Sequence, residues 1–399
     1  MQLFATGNLD QELIVQGREM ACIGEVRLLA FAFALASVAT PVIAQSIARG
    51  VLISSIPLAG APAGSTAFLI RYQSRAVEGG RNEVTGVVIL PDSPAPRAGR
   101  EVVAWAHGTS GVAETCAPSQ SKDLFGSIAG LDAMLDAGYA VVATDYAGLG
   151  TPGPHPYLVG DGTAYSVLDS IRAARELGRG SIGNRYVVWG ESQGGHAALW
   201  TAQFASQYAP ELQLAGVAAA APPTNLKENL TGGTNPLIKA LLTAYTGSSW
   251  SQTYNIPLST ILKPVGQDLA RRLARNCVST DPVALRAKIG LFRLSRSLAN
   301  VDISKSPPWA EQLRRNSVKP GGFSVPVFIA QGSADPIVAP KVTLNFAQSV
   351  CRTRAVPVRY LSVAGGDHFS IGKRSADETV SWIADRFAGQ KAPDDCRQL

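Results

Sequence analysis

Short apolar runs alternate with stripes of helical period along most of the chain. The runs predict strands over residues 66–74, 83–90, 102–106, 139–144, 186–189, 214–220, 325–330 and 358–363. Gly79-Gly80 lies between the first two runs and predicts a hairpin turn. Apolar positions spaced by three or four residues predict a helix over 163–177, and an apolar segment after residue 192 predicts another. Because several runs are apolar throughout, we expect a mostly parallel sheet covered by helices on both faces.

The alternation stops at Pro222-Pro223 and resumes after residue 320. Residues 223–320 have the pattern of helices and loops, which predicts a mainly helical cap, or lid, inserted into an α/β core. Residues 45–222 and 321–399 would form that core. A helix near 341–349 and a last helix over 375–388 complete it, and Ser375 and Glu378 predict a capping box at the start of the last helix.

The first 44 residues have the composition of a targeting segment. Residues 28–38 form an apolar run that follows Arg27 and precedes the small-residue pattern Val42-Ile43-Ala44. The run is too short to span a bilayer, which needs about 20 residues. We therefore predict a signal peptide over 1–44, with Met20 as an alternative start, and a secreted or periplasmic mature protein.

Cysteine usage agrees with export. Removal of residues 1–44 leaves four cysteines, Cys116, Cys277, Cys351 and Cys396. In an exported protein four cysteines suggest two disulfides with three connectivities, and four buried free thiols are the alternative. The chain contains no C-x-x-C pair, so a zinc site is not expected, and we predict no cofactor.

Charge is concentrated in the predicted cap. The whole chain has a net charge of +6, whereas residues 223–320 contain fourteen Lys or Arg and five Asp or Glu, a net charge of +9. A basic, partly apolar cap suits transient contact with an anionic lipid interface, and helices with solvated basic faces are the alternative. Basic residues are not interleaved with aromatic residues in a nucleic-acid-binding module, so nucleic acid is not an expected partner.

The chemistry centres on Gly190-Glu191-Ser192-Gln193-Gly194, which fits the G-x-S-x-G pattern of a nucleophile elbow between a strand and a helix. The glycines leave room for a strained turn that exposes the Ser192 hydroxyl. A glycine-rich turn without catalytic function is the alternative for so short a pattern.

A serine nucleophile needs a base and an acid that orients the base. His368 follows the last predicted strand, and Asp335 follows the strand before it. The chain order Ser192, Asp335, His368 is the order in α/β-hydrolases. His196 would point into the packing of its helix, and His155 has no evident partner. Asp367 is the alternative acid.

Two backbone amides would stabilise the oxyanion. We expect the first from Gln193, directly after the nucleophile. The second would come from the glycine-containing loop after the 102–106 strand, where Thr109 is our choice.

These residues and two further motifs resemble the secretory lipase family (fungal lipase A-like) of the α/β-hydrolase superfamily. The further motifs are Asp145-Tyr146-Ala147-Gly148-Leu149-Gly150 and Cys116-Ala117-Pro118-Ser119. The resemblance implies an α/β-hydrolase fold with a helical lid that acts, without a metal, on carboxylic esters of acylglycerol type. It also implies disulfides Cys116–Cys277 and Cys351–Cys396.

We therefore predict an exported serine hydrolase, a lipase or carboxylesterase, that works through an acyl-enzyme on Ser192. The substrate would be a small-molecule or lipid ester. The first alternative is a hydrolase of polyesters or aromatic esters that uses the same three residues. A remote alternative is a non-catalytic binding protein on a hydrolase scaffold.

Overall fold

The described residues form one nine-stranded β-sheet with helices packed around it. The computed structural model describes residues 49–178, 180–231, 235–278, 285–298 and 301–399, all within one compact unit. The predicted signal peptide lies outside the described residues. The strands are β1 (Leu52–Leu58), β2 (Ser65–Arg75), β3 (Arg81–Pro91), β4 (Arg100–Ala106), β5 (Ala140–Thr144), β6 (Ile182–Glu191), β7 (Gln213–Ala220), β8 (Val327–Gly332) and β9 (Val358–Val363).

The strand order is β1-β2-β3-β5-β4-β6-β7-β8-β9. From β5 through β9 every neighbouring pair is parallel, whereas β1, β2, β3 and β5 pair antiparallel. Gly79 and Gly80 form the predicted hairpin turn between β2 and β3, both with positive φ (92° and 82°). The mostly parallel sheet is confirmed, with an antiparallel edge at its amino-terminal side.

Helices cover both faces of the sheet. Within β4, Val102 and Ala104 face one core cluster, whereas Val103 and Trp105 face a second cluster on the other side of the sheet. The helices are α1 (Leu131–Asp136), α2 (Gly160–Gly178), α3 (Gln193–Tyr208), α4 (Leu226–Thr231), α5 (Pro236–Thr253), α6 (Pro264–Ala274), α7 (Leu285–Leu298), α8 (Pro307–Asn316), α9 (Pro340–Thr353), α10 (Ile371–Arg374) and α11 (Ala376–Phe387). Because both faces are covered, the β4 side chains from Val102 to Ala106 are all buried.

Helices α4 to α8 lie between β7 and β8, and we call residues 226–316 the helical insertion. The insertion has its own apolar cluster, which includes Leu226, Trp250, Leu294 and Trp309. Tyr157, from the segment between β5 and α2, belongs to the same cluster and links the insertion to the core. No helix among the described residues is long and apolar enough to cross a membrane.

The last helix differs from its prediction at its start. The predicted capping box is wrong, because the Ser375 hydroxyl donates to the carbonyl of Ile371 at 2.7 Å and Glu378 pairs with Arg359. The short helix α10 directly precedes α11 and supplies that competing carbonyl. Val380, Ile383 and Phe387 of α11 are buried.

Candidate active site

Ser192 lies in a strained turn between β6 and α3. Its backbone has φ 53° and ψ −120°, in a region that non-glycine residues rarely adopt. A Cβ on Gly194 would lie 1.8 Å from the carbonyl oxygen of Ala106, and one on Gly190 would lie 2.4 Å from the carbonyl oxygen of Gly194. Only glycine fits either position, which explains the G-x-S-x-G spacing.

The turn brings Ser192, His368 and Asp335 into one hydrogen-bonded series. His368 Nε2 is 2.8 Å from Ser192 Oγ, and His368 Nδ1 is 2.8 Å from Asp335 Oδ2. Asp335 and His368 lie in the loops after β8 and β9, whose parallel strands end at the same edge of the sheet. The three predicted residues therefore meet, although 176 positions separate Ser192 from His368.

The carboxylate of Asp335 is held from several directions. Its Oδ1 accepts hydrogen bonds from the amides of Ile337 (2.8 Å) and Val338 (2.9 Å), and its Oδ2 accepts one from Gln331 Nε2 (3.1 Å). These donors fix the carboxylate plane that faces the imidazole. The alternative acid, Asp367, lies on the surface, where hydrogen bonding to the Ser370 side chain and to the Ser370 amide lowers the Asp367 pKa.

The loop after β4, residues 107–111, packs directly against the Ser192 turn, and we call it the β4 loop. The Cβ position of Gly194 also lies only 2.7 Å from the carbonyl oxygen of His107, so the start of this loop contacts the first turn of α3. Thr109 is in the loop, and its hydroxyl is 3.0 Å from the Tyr157 hydroxyl. Gln193 is the first residue of α3 and is buried. The two expected oxyanion residues thus lie on two segments in contact with each other.

His155 has a partner that the sequence did not reveal. Its Nε2 is 2.9 Å from Gln193 Nε2, and its Nδ1 is 3.0 Å from the carbonyl oxygen of Ala147. Burial lowers the pKa of His155 to about 3, so the ring is neutral. A neutral ring that donates from Nδ1 to Ala147 accepts from the Gln193 amide at Nε2. Ser249 of α5 donates to the His155 carbonyl at 2.6 Å, which connects the insertion to Gln193.

His107 and Asp145 hold loops rather than contact Ser192. Asp145 is buried and accepts from the Ser119 amide (2.9 Å) and the Thr85 hydroxyl (2.7 Å). His107 Nε2 lies 3.2 Å from the Asp145 carbonyl oxygen, and burial lowers the pKa of this imidazole. The 145–150 motif thus anchors the loops after β4 and β5.

His196 lies on the same helix as Gln193 but is packed into the interior, as its spacing from Ser192 predicts. Its Nε2 donates to the carbonyl oxygen of Asn316 at 2.7 Å, and burial lowers its pKa to about 4. Asn316 is the last residue of α8, so this bond fixes the end of the insertion to α3.

Two disulfides join the pairs that the resemblance implies. Cys116–Cys277 connects the segment after the β4 loop to the chain just beyond α6, and Cys351–Cys396 connects α9 to the carboxyl-terminal segment. The amide of Val278 also donates to the Ser110 carbonyl at 2.8 Å. In the described parts of the chain, His, Cys, Asp and Glu form no cluster able to hold a metal ion.

Comparisons with known proteins give a matching family, related sequences and a similar fold. The family model described as "Secretory lipase" matches residues 127–395. Lipase 9 of Candida albicans is 26% identical over 83% of this chain and 75% of its own length. A probable inactive lipase of Mycobacterium tuberculosis is 25% identical over 82% of this chain and 75% of its own length. The crystal structure of lipase A from Candida antarctica superposes with a TM-score of 0.69 at 19% identity, covering 88% of this chain and 84% of that one.

Proposed function

Because this chain belongs to the secretory lipase family, we propose that it is an exported lipase that hydrolyses acylglycerol-type esters through an acyl-enzyme on Ser192. Family membership makes the chain a carboxylic ester hydrolase with an α/β-hydrolase fold. Export, the acylglycerol-type substrate and the covalent intermediate are the parts that we propose.

In the proposed acylation, His368 Nε2 removes the proton of Ser192 Oγ, across the 2.8 Å that separate them. The oxygen attacks the ester carbonyl carbon and forms a tetrahedral oxyanion. Asp335 keeps Nδ1 protonated and stabilises the imidazolium that forms. His368 then protonates the alkoxide of the leaving alcohol, and the acyl group remains on Ser192.

Deacylation uses the same groups with water as the nucleophile. His368 removes a proton from water, the hydroxide attacks the acyl carbon, and Ser192 leaves with the returned proton as the fatty acid is released. The amides of Gln193 and Thr109 would donate to the oxyanion in both steps. The assignment of these two amides is supported by the contact between the loop after β4 and the start of α3.

The observation that carries the proposal is the Ser192–His368–Asp335 series on a strained elbow. Its test is a fluorophosphonate probe together with ester hydrolysis, on the wild type and Ser192→Ala. We expect the wild type to be labelled and active, and the folded variant to be unlabelled and slower by several orders of magnitude. Substantial turnover in Ser192→Ala would falsify the mechanism, and an unlabelled, inactive wild type would favour the binding-protein alternative.

Substrate class needs a separate measurement. A series of p-nitrophenyl esters from two to sixteen carbons, with triacylglycerol, polyester and aromatic esters beside it, separates a lipase from the alternatives. We expect triacylglycerol and long-chain esters to be cleaved. A preference for aromatic esters or polyester would contradict the proposed acylglycerol-type substrate but not the proposed mechanism on Ser192.

We also propose export, with residues 1–44 removed, and a cap role for the helical insertion. Two disulfides suit an oxidising compartment. The insertion exposes the apolar side chains of Val265 on α6 and of Ile289 and Phe292 on α7, and it also exposes Arg271 and Arg272 on α6. Such a surface fits transient contact with an anionic lipid interface. Amino-terminal sequencing of the secreted protein tests the export step, and a retained leader contradicts it.

A further inference from the structure

Glu191, the residue before the nucleophile, inserts its carboxylate between two segments of the site. A Cβ on Gly372 would lie 1.7 Å from Glu191 Oε2, so the carboxylate occupies the space that a side chain at residue 372 would need. On the other side, a Cβ on Gly108 would lie 3.6 Å from Oε1. Gly372 belongs to α10, which directly follows His368, and Gly108 belongs to the loop with Thr109. The carboxylate therefore lies within the proposed catalytic machinery.

The carboxylate of Glu191 accepts no hydrogen bond from any described residue, and its side chain is half-buried. Among the described residues, the positive charges that lower its pKa come from His368 in the loop after β9 and Lys373 on α10. From the β4 loop, Gly108 offers no charge, and both ring nitrogens of His107 lie against backbone carbonyls. A half-buried carboxylate whose charge reaches His368 without a hydrogen bond acts on that imidazole electrostatically.

We infer that Glu191 is a positioning residue that acts through His368: as an anion it stabilises the imidazolium that forms when Ser192 loses its proton. The inference rests on the proposed function of Ser192 and His368. Asp335 orients the ring by direct contact, whereas Glu191 adds negative charge from the side of α10. The proton count of the reaction does not change, because Glu191 neither accepts nor donates a proton in the cycle.

The effect must depend on pH. Burial raises the pKa of Glu191 to about 7, against the opposing influence of His368 and Lys373. Above pH 7 the carboxylate is charged and assists, and below pH 7 it is protonated and neutral. By linkage, a protonated Glu191 should resemble glutamine in its effect on His368. The advantage of the wild type over Glu191→Gln should therefore grow as the pH rises through 7.

The experiment compares kcat/KM of wild type, Glu191→Gln and Glu191→Asp for a soluble short ester between pH 5 and 9. We expect kcat/KM of Glu191→Gln to be about tenfold lower than that of the wild type at pH 8.5 and close to it at pH 5.5. The acid limb of its pH profile should lie at lower pH than in the wild type. Glu191→Asp keeps the charge and should recover part of the rate. A Glu191→Gln profile parallel to wild type at every pH would mean a structural role only and would overturn the inference.

Lys373→Gln is a second variant to be measured in the same assay. Lys373 is exposed, so its replacement should leave the core unchanged. Loss of the cation should move the acid limb to higher pH, and the shift should shrink in the Glu191→Gln background. An unmoved acid limb in Lys373→Gln would count against the inference even if Glu191→Gln fails to fold. Ser192→Ala in the same assay separates the two proposals. If it is inactive while Glu191→Gln matches wild type, only the role of Glu191 fails.

Discussion

The hydrogen bond between His155 and Gln193 is the residue-scale contact with the clearest consequence for catalysis. Gln193 would present its backbone amide to the oxyanion, and its side chain is anchored at 2.9 Å to a neutral imidazole. His155→Phe removes that acceptor and leaves a buried amide group unpaired. Loss of a whole oxyanion donor costs about a hundredfold or more, so a loosened donor should lower kcat by about tenfold with little change in KM.

The control for this prediction is Gln193→Leu, alone and combined with His155→Phe, with steady-state kinetics and thermal melting on each protein. If both substitutions act through one bond, the double variant should be no slower than the slower single variant. Fully additive losses, or an unchanged kcat in a folded His155→Phe, would contradict the anchoring role.

His196 links residue-scale burial to the acid stability of the fold. Its folded-state pKa of about 4 lies below the usual value of about 6.5, so the unfolded chain binds the proton more tightly. Its contribution to stability is complete above pH 6.5 and is lost as the pH falls towards 4, by about 1.4 kcal/mol per pH unit. Urea unfolding of wild type and His196→Gln at pH 7.5 and 5 measures it. The wild type should lose about 2 kcal/mol more than the variant over this range. Equal losses would mean that His196 does not titrate on unfolding.

The sequence predicts those functional residues that are marked by a local pattern along the chain. Ser192, Asp335 and His368 were predictable because each follows a recognisable strand and their order is diagnostic. Glu191 and His155 were not, because their roles come from contacts across the fold: Glu191 with α10, and His155 with a residue 38 positions away. A buried loop histidine has no sequence pattern that distinguishes it from an exposed one.

At the element scale, the chain just beyond α6 is joined to the segment after β4 by the Cys116–Cys277 disulfide and by the hydrogen bond from Val278 to Ser110. Cys116–Cys277 encloses a long loop, with a sequence separation of 161, and Cys351–Cys396 encloses one of 45. Chain-entropy models assign about 5 and about 4 kcal/mol to closures of these lengths. The double variant Cys116→Ser, Cys277→Ser should therefore lose several kcal/mol of unfolding free energy, and also activity, because the β4 loop carries Thr109.

The matched control is Cys351→Ser with Cys396→Ser, which should lose comparable stability but keep kcat in the folded protein. Non-reducing peptide mapping of the purified wild type should recover both pairs. Free thiols or another pairing would contradict the proposal that Cys116–Cys277 ties the insertion to the segment after β4.

Element boundaries show where local patterns stop being informative. The final strand was predicted at its observed bounds, Val358–Val363, because its apolar and β-branched run is flanked by a proline and glycines. Strand β1 was missed: its Ser54-Ser55 and Pro57 weaken a strand pattern, and only pairing with β2 stabilises it. The capping box failed for a similar reason, because Arg359, on the distant strand β9, pairs with Glu378 of α11.

At the scale of the whole molecule, positive charge is distributed unevenly and is concentrated on the surface of the helical insertion. The insertion holds the excess of positive charge, and its arginines 271, 272 and 275 are exposed on or just after α6. Val265 is 72% exposed and lies seven residues before Arg272, so both occupy one face of the helix. The Arg272–Asp268 pair is exposed on both sides and would neutralise little of this charge.

Reversal of Arg271, Arg272 and Arg275 to glutamate should therefore weaken binding to anionic vesicles. Each basic residue near such a surface contributes about 1 kcal/mol, so three should account for about a hundredfold in affinity at low salt, and less at high salt. Co-sedimentation with anionic and zwitterionic vesicles measures the loss, and hydrolysis of a soluble short ester should be retained. The triple variant Arg81, Arg97 and Arg352 to glutamate makes the same change in net charge at exposed sites outside the insertion. Equal loss in both triple variants would reduce the effect to overall charge. A loss confined to the α6 variant would identify the insertion as the surface that contacts lipid.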